Sequence, residues 1–122
     1  SRLQRPVVDR ILDLYQKSLW LAPERAVTQE NYGLTLAVAG RHADALEHLQ
    51  EAERLGRGDS AELHNGLGAI HFAQGRLHKA STHFQKAVKL RPGWKDAEDN
   101  LMAVKAEMRS SKRGERQKTG KS

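Results

Sequence analysis

The residues of this chain best suited to chemistry are its histidines, because it has six of them and no cysteine. His64 and His71 are seven residues apart, so on a helix they share one face, and imidazole nitrogens are common zinc ligands. Neither has a carboxylate or cysteine at metal-ligand spacing. We therefore interpret them as packing and hydrogen-bonding histidines, and the sequence predicts no metal site and no cofactor. His42 and His48 are expected on the surface.

Two short motifs also suggest binding chemistry, and each has a simpler interpretation. GRGDS (residues 56–60) contains a tripeptide that integrins recognise. Asp59 is also a good helix N-cap, and Glu62 three residues later completes a capping box. GERQKTGKS resembles a phosphate loop, but five residues instead of four separate Gly114 from Gly120, and no strand precedes it. With no Ser/His/Asp set or paired carboxylates visible either, the sequence predicts that this segment is not an enzyme.

The composition favours helices. Ala, Leu, Glu, Lys, Arg and Gln dominate, while aromatic residues make up only 5%. β-branched residues are few and do not alternate with polar ones, so no strand is predicted. No apolar run approaches the roughly 20 residues of a membrane span. The sequence therefore predicts an all-α chain with no membrane-spanning segment, and it does not assign a compartment.

The chain repeats itself. When it is shifted by 35 residues, Gly33 falls on Gly68 and Gly40 falls on Gly75, and a further shift of 34 aligns YQKSLWLAP with the second half of the first unit. Each unit is interpreted as two helices. The first helix ends at Gly40 or Gly75, which can adopt the left-handed conformation. The second follows within two residues, and Pro23 and Pro92 stop the second helices of their units.

This pattern resembles the tetratricopeptide repeat, whose motif runs W-x2-L-G-x2-Y and then A, F, A and P. The resemblance covers roughly residues 7–108 and implies an all-α, right-handed superhelix of antiparallel helix hairpins. The first unit has Arg57 in place of the final proline, and Gln29 and His64 stand where the motif has Trp. The matching residues are Leu67, Gly68, Gly75, Ala80, Phe84, Ala87 and Pro92 in the second unit, and Tyr32, Gly33, Gly40, Ala45, Leu49 and Ala52 in the first.

The repeat frame divides the chain. We expect a repeat domain over 1–110, composed of a half repeat (7–25), two repeats (26–60 and 61–94) and a capping helix (95–110). Residues 111–122 are expected to be a disordered basic tail, because they contain no large apolar residue that could pack in a core. The half repeat suggests either that the chain was cut from a longer protein or that it begins with a degenerate cap.

The resemblance implies a protein-interaction module that binds a peptide or partner domain in a concave groove. The groove is expected to suit a peptide with apolar anchors and basic residues. Helix packing alone would also explain why Ala37, Ala69 and Ala73 are small. The residues carried over to the concave face are Val27, Glu30, Asn31, Leu34, Ala37, Val38, Glu62, Asn65, Ala69, Phe72, Ala73, Asp96, Asp99, Ala103 and Ala106.

Some members of this family grip the terminal carboxylate of heat-shock chaperones with Lys, Asn and Arg. Only Asn31 falls at such an asparagine position here. Glu30 and Asp96 stand where lysines are expected, and Leu34 stands at another asparagine position. The sequence therefore argues against that partner class. Nucleic acid is not an expected partner either, because the basic tail lacks aromatic residues that stack on bases, although its charge leaves that contact and acidic lipid as minor alternatives.

Two other functions remain open at this point. The half repeat would leave Tyr15, Leu19 and Trp20 as an apolar surface for self-association. The stretches LYQKSLWLAP, NYGLTLAVAGR and HNGLGAIHFAQGR also resemble repeat tails that follow the membrane-embedded part of some glycosyltransferases. For the groove itself, the sequence predicts that Leu34→Glu or Phe72→Glu abolishes partner binding while the helices survive.

Overall fold

The computed structural model describes residues 5–21 and 25–119, and every regular element within these ranges is helical. This confirms the all-α prediction. No helix in the described part of the chain is both long enough and apolar enough to cross a membrane. The predicted helix stop at Pro23 lies outside the described residues. The helices are α1 (Arg5–Leu21), α2 (Ala26–Val38), α3 (His42–Ala52), α4 (Ala61–Ala73), α5 (Leu77–Leu90) and α6 (Lys95–Thr119), with a wide π-type turn over Glu53–Arg57.

Glycine turns close the two hairpins, α2 with α3 and α4 with α5. Gly40 and Gly75 have φ of 82° and 78°, a region that side chains with a Cβ rarely adopt. At the second turn, the Arg76 amide donates to the His71 carbonyl at 2.8 Å. This is the six-residue bond of a Schellman motif, which satisfies a carbonyl at the helix end. The second helices begin two residues later, as the sequence predicted.

Small residues set the spacing within each hairpin. A methyl group added at Gly68 would lie 2.6 Å from the ring of Phe84, and one added at Gly33 would lie 2.7 Å from Leu49. Ala45 and Ala80 are completely buried on the facing helices. The recurrence of Gly and Ala in the sequence therefore reflects close helix–helix contact.

The core runs along the stack as two clusters. The larger cluster joins α1 to the first three helices that follow it, with Leu12 and Leu36 among its buried members. Tyr15 of α1 meets the edge of Tyr32 with ring centroids 6.3 Å apart. The smaller cluster centres on Phe84 and Val104, so it joins α5 to α6. The helices α1 and α6 thus cover the two ends of the hairpin pair.

The prediction that the last helix ends near 110 is wrong, because α6 continues to Thr119. In the repeat frame, Arg109 occupies the place of Gly40 and Gly75, and an arginine does not favour the left-handed conformation that would end the helix. The residues that follow are mostly good helix formers. Extending an existing helix avoids the cost of nucleating a new one. Residues 111–119 of the predicted disordered tail belong to α6, and residues 120–122 lie outside the described part of the chain.

The predicted N-cap of α4 is also off by one residue. Ser60 caps the helix, and its Oγ accepts a hydrogen bond from the Leu63 amide at 3.1 Å. Asp59 is exposed in the turn before it. The wide turn at Glu53–Arg57 absorbs the extra residue of this unit, and the chain enters α4 one position later than the capping-box pattern indicated.

Candidate functional site

The residues predicted for a binding face lie on α2, α4 and α6, which are neighbours in the stack. Leu34 on α2 packs against Gly66 on α4, where an added methyl group would lie 2.5 Å from the leucine Cδ2. Asn100 on α6 donates a hydrogen bond to Asn65 on α4 at 3.0 Å. The three helices therefore present their side chains on one shared surface, which we call the inner face.

The inner face exposes small apolar residues. Val27 and Val38 are 53% and 84% exposed, and they stand eleven residues apart, three helical turns along one stripe of α2. Ala69 and Ala73 are exposed one turn apart on α4, and Asn31 is also exposed. These side chains are available to a partner, and the valines offer the larger apolar contact.

Two other predicted residues take part in packing. Leu34 is partly buried against the core that contains Leu36, and Phe72 is partly buried against Phe84. A glutamate at either position would place a charge against apolar side chains, which is costly. The expectation that Leu34→Glu or Phe72→Glu leaves the fold intact is therefore not supported by their environment, and more exposed positions are needed to test binding.

Glu30 was predicted to lie on the binding face, but it is buried, with only 4% of its surface exposed. Its two carboxylate oxygens accept hydrogen bonds from Arg57 Nε and Ser60 Oγ, both at 2.5 Å. Glu30 thus ties α2 to the turn and to the N-cap of α4. Arg57 is the residue that replaces the motif proline, and its charge pairs with the buried carboxylate of Glu30.

The acidic edge of the inner face is largely neutralised. Glu62 pairs with Arg91 at 3.1 Å, and Asp99 pairs with Lys95 at 3.2 Å. Among the described residues, Asp96 forms no ion pair and remains exposed. Since Glu30 is also paired, the inner face is less acidic than its sequence indicates.

A stack of three histidine rings lies between α4 and α5. The ring of His83 is parallel to those of His64 and His71, with centroids 5.3 Å and 5.5 Å away. His64 Nε2 lies 2.7 Å from the Gly58 carbonyl, so it must donate there, and its Nδ1 lies 3.0 Å from Nδ1 of His83, within hydrogen-bonding distance. The histidine that replaces the motif Trp therefore bonds to the turn between units.

The surroundings of His71 and His83 favour their neutral forms. Burial, followed by the positive charges of His64, His71, Lys86 and Lys79, lowers the pKa of His83 to about 4. Burial also lowers the pKa of His71, whose Nδ1 has no partner. Within the described part of the chain, no group of three or more His, Asp or Glu side chains is arranged to hold a metal ion.

His48 is not the surface residue that the sequence predicted. Its Nδ1 lies 2.7 Å from Oε1 of the buried Gln29, and its ring meets the edge of Tyr32 with centroids 4.4 Å apart. Burial lowers the pKa of His48. The sequence did contain a signal for this contact. Gln29 stands where the motif has Trp, and a buried polar side chain at that position requires a polar partner, which His48 on α3 provides.

Comparisons with known proteins agree with this geometry. A family model described as tetratricopeptide repeat matches residues 24–93. No curated protein sequence is significantly similar to the chain.

Several solved structures share the fold. The Sgt2 repeat domain from Aspergillus fumigatus matches with a TM-score of 0.80 at 19% identity, over 91% of this chain and 74% of that one. The first repeat domain of Spaghetti, bound to an HSP90 peptide, gives 0.78 at 21% identity, over 87% and 83%. An O-GlcNAc transferase from Thermobaculum terrenum gives 0.74 at 25% identity, over 80% of this chain but only 18% of the enzyme.

Proposed function

Because this chain belongs to the tetratricopeptide repeat family, we propose that it is a protein-interaction module that binds a peptide or a partner domain along its inner face. The observation that carries the proposal is the pair of exposed valines, Val27 and Val38, beside the exposed Ala69 and Ala73 of the neighbouring helix. Apolar side chains on a preformed surface offer anchor sites at little conformational cost.

The side chains of the inner face support an apolar-anchored partner. The solved Spaghetti domain holds an acidic HSP90 peptide. Glu30, Leu34 and Asp96 replace the residues expected to grip such a carboxylate, and Asp96 would repel it. We therefore infer a peptide with apolar anchors along α2 and α4, with any basic residue placed at the Asp96 end. We infer binding rather than catalysis for this segment.

The test compares the protein with Val27→Glu/Val38→Glu in capture of partners from a lysate of the source organism. Both positions are exposed, so the variant should keep its helical circular dichroism. Met102→Glu is the control, because Met102 is also exposed and apolar but occupies the repeat position of Gly33 and Gly68, which face the second helices and not the inner face. We expect a partner that the wild type and the control retain and the valine variant loses. Equal retention by all three would contradict the proposal.

Self-association is a second candidate, and a specific observation favours it. Val7 and Leu14 are 56% and 58% exposed on α1, seven residues apart, so they form one apolar stripe at the end of the stack. Leu19 and Trp20, which the sequence assigned to the same surface, have side chains outside the described residues. Sedimentation velocity should show a mass that rises with concentration and becomes monomeric in Val7→Glu/Leu14→Glu.

The chain could also serve as an accessory region of a larger protein. The fold similarity to part of an O-GlcNAc transferase supports this candidate, since the match covers only 18% of that enzyme. Sequencing the complete coding region would test it: a catalytic domain in the same polypeptide is the expected result, and a protein made only of repeats would oppose it.

A further inference from the structure

A second groove lies away from the inner face, between the N-terminal end of α5 and the C-terminal half of α6. Its volume is about 610 Å³. Leu77 and Met108 form its apolar floor, and both are partly buried against the cluster of Phe84 and Val104. The groove exists because α6 continues past Arg109 and thus extends beside the glycine turn that begins α5. We call it the outer groove.

The rim of the outer groove is cationic. Lys105, Arg109 and Lys112 follow one side of α6 at intervals of four and three residues, and His78 faces them from α5. Among the described side chains, none that lines the groove is acidic. Within the described part of the chain, none of these three cations forms an ion pair, whereas Arg57, Arg91 and Lys95 elsewhere are all paired.

The start of α5 adds to this positive potential. Its N-cap residue is Arg76, which provides no side-chain cap. The free amides of the first helical turn therefore carry the partial positive charge of the helix N-terminus toward the groove. Cationic side chains and uncapped amides around an apolar floor attract a ligand that has carboxylates flanking apolar side chains.

We propose that the outer groove binds an acidic amphipathic peptide segment of a partner protein. Its apolar side chains pack on Leu77 and Met108, and its carboxylates pair with Lys105, Arg109 and Lys112. This site is separate from the inner face. The outer groove would favour an acidic peptide and the inner face an apolar or basic one, so one molecule could bind two different peptides. A nucleic acid fits less well, because no aromatic ring lines the groove and an apolar floor gives phosphates no contact.

The probe is a fluorescein-labelled 16-residue helical peptide with Leu on one face and Glu on the others, with binding measured by fluorescence anisotropy at low and high salt. The groove variant is Arg109→Glu/Lys112→Glu. The matched control is Lys86→Glu/Lys89→Glu, because both lysines are exposed on α5 outside the groove lining and the change in net charge is the same. None of these side chains belongs to the core, so circular dichroism should show that both variants keep the fold.

We expect the groove variant to weaken binding at least about tenfold while the control changes it less than about threefold, since charge pairs act locally when salt screens the rest. Replacing the peptide's Leu residues by Ser should also weaken binding to the wild type. The proposal is overturned if both variants weaken binding equally, if the Ser peptide binds as well as the Leu peptide, or if no peptide binds.

Two further measurements distinguish other occupants. A single-stranded oligonucleotide that binds more tightly than the peptide, and that the groove variant releases, would assign the groove to nucleic acid and overturn the proposal. A concentration-dependent mass that the groove variant abolishes would assign it to a second copy of this chain, also against the proposal. Because the inner-face valines lie on α2, loss of inner-face binding in Val27→Glu/Val38→Glu should leave peptide binding unchanged.

Discussion

At the scale of single residues, Glu30 shows how burial changes what a side chain does. Its position in the repeat frame assigned it to a binding face, where a carboxylate would choose partners. In the structure, both of its oxygens accept hydrogen bonds, from Arg57 and from Ser60. The paired carboxylate of Glu30 joins two repeats. Because it is buried and both oxygens already accept hydrogen bonds, it is not accessible to a ligand.

Replacing Ser60 by alanine tests the cap of α4. Ser60→Ala removes the oxygen that accepts from the Leu63 amide, and it also removes a donor to Glu30. We expect the free energy of unfolding to fall by about 1–2 kcal/mol. Asp59→Ala is the control and should change it by less than about 0.5 kcal/mol, because Asp59 is exposed. Urea denaturation measures both, and a larger effect at Asp59 would restore the sequence-based capping box.

The stacked histidines predict that the protein loses stability in mild acid. The pKa of His83 is about 4 in the folded protein, well below the ordinary value of 6.5 that it regains on unfolding. The unfolded chain therefore binds a proton between these values that the folded protein does not. The contribution of His83 to stability is full above about pH 6.5 and is lost as the pH falls toward 4. The shift alone corresponds to about 3 kcal/mol at pH 4, and solvent screening of the half-buried ring should reduce the loss to about 2 kcal/mol.

The measurement is the urea midpoint as a function of pH. His64, His71, Lys79 and Lys86 are the charged or titratable groups that act on His83, and all of them oppose its protonation. His83→Gln should flatten the pH dependence, whereas His42→Gln should not, since His42 lies outside the stack. An unchanged slope in His83→Gln would mean that another group causes the acid sensitivity.

At the scale of elements, α6 differs from the other two helices of the inner face. It is 25 residues long, against 13 for α2 and for α4. Met102 takes the place of the glycines that let a second helix approach, and it is 69% exposed. Arg109 takes the place of the glycines that end α2 and α4. Two substitutions in the repeat pattern thus convert the first helix of a hairpin into a long terminal helix.

Alanine in place of Gly114 tests whether α6 extends this far. Nothing lies within 4 Å of a methyl group added there. Within a helix, Gly→Ala should raise stability or helical content, by about 0.5–1 kcal/mol. Gly75→Ala is the opposite case, because Gly75 has φ of 78°, and it should lower stability by about 1 kcal/mol. Circular dichroism and thermal melting report both, and no gain in helicity at Gly114 would place the end of the helix earlier.

At the scale of the whole molecule, each hairpin depends on its neighbours to bury its apolar surface. The larger core cluster includes residues from α1 through α4, and the smaller one joins α5 to α6. A repeat stack gains its stability from such nearest-neighbour contacts, so its end helices are part of the folded unit. The inner face and the outer groove both rely on this arrangement, because each is lined by more than one helix.

Leu12→Ala tests whether α1 belongs to this folded unit. Leu12 is buried at 6% exposure, and removing its side chain should lower the free energy of unfolding by about 2–4 kcal/mol. Leu14→Ala is the control on the same helix, because Leu14 is 58% exposed and should cost less than about 1 kcal/mol. Similar effects at both positions would mean that α1 packs in another orientation.

The sequence by itself determined the fold class, the hairpins and the family. The glycines recur at fixed spacing for two local reasons. Gly40 and Gly75 adopt left-handed turns, and Gly33 and Gly68 lie where the facing helix is too close for a side chain. Such requirements recur in every repeat, so they appear in the sequence as periodicity. The absence of strands from residues 5–21 and 25–119 followed from composition in the same way, since helix propensity acts within a segment.

Only the tertiary structure decided which side chains are free to contact a partner. The repeat frame assigned Glu30 and Phe72 to the binding face, and His48 was expected on the surface. Glu30 and His48 instead bond to side chains 19 to 30 positions away, and Phe72 packs against the cluster of Phe84 and Val104. The outer groove likewise combines Leu77 with Met108, which lie on different helices and share no motif. Repeat periodicity assigns residues to faces, but burial and ion pairing depend on the particular side chain that a neighbouring helix brings into contact.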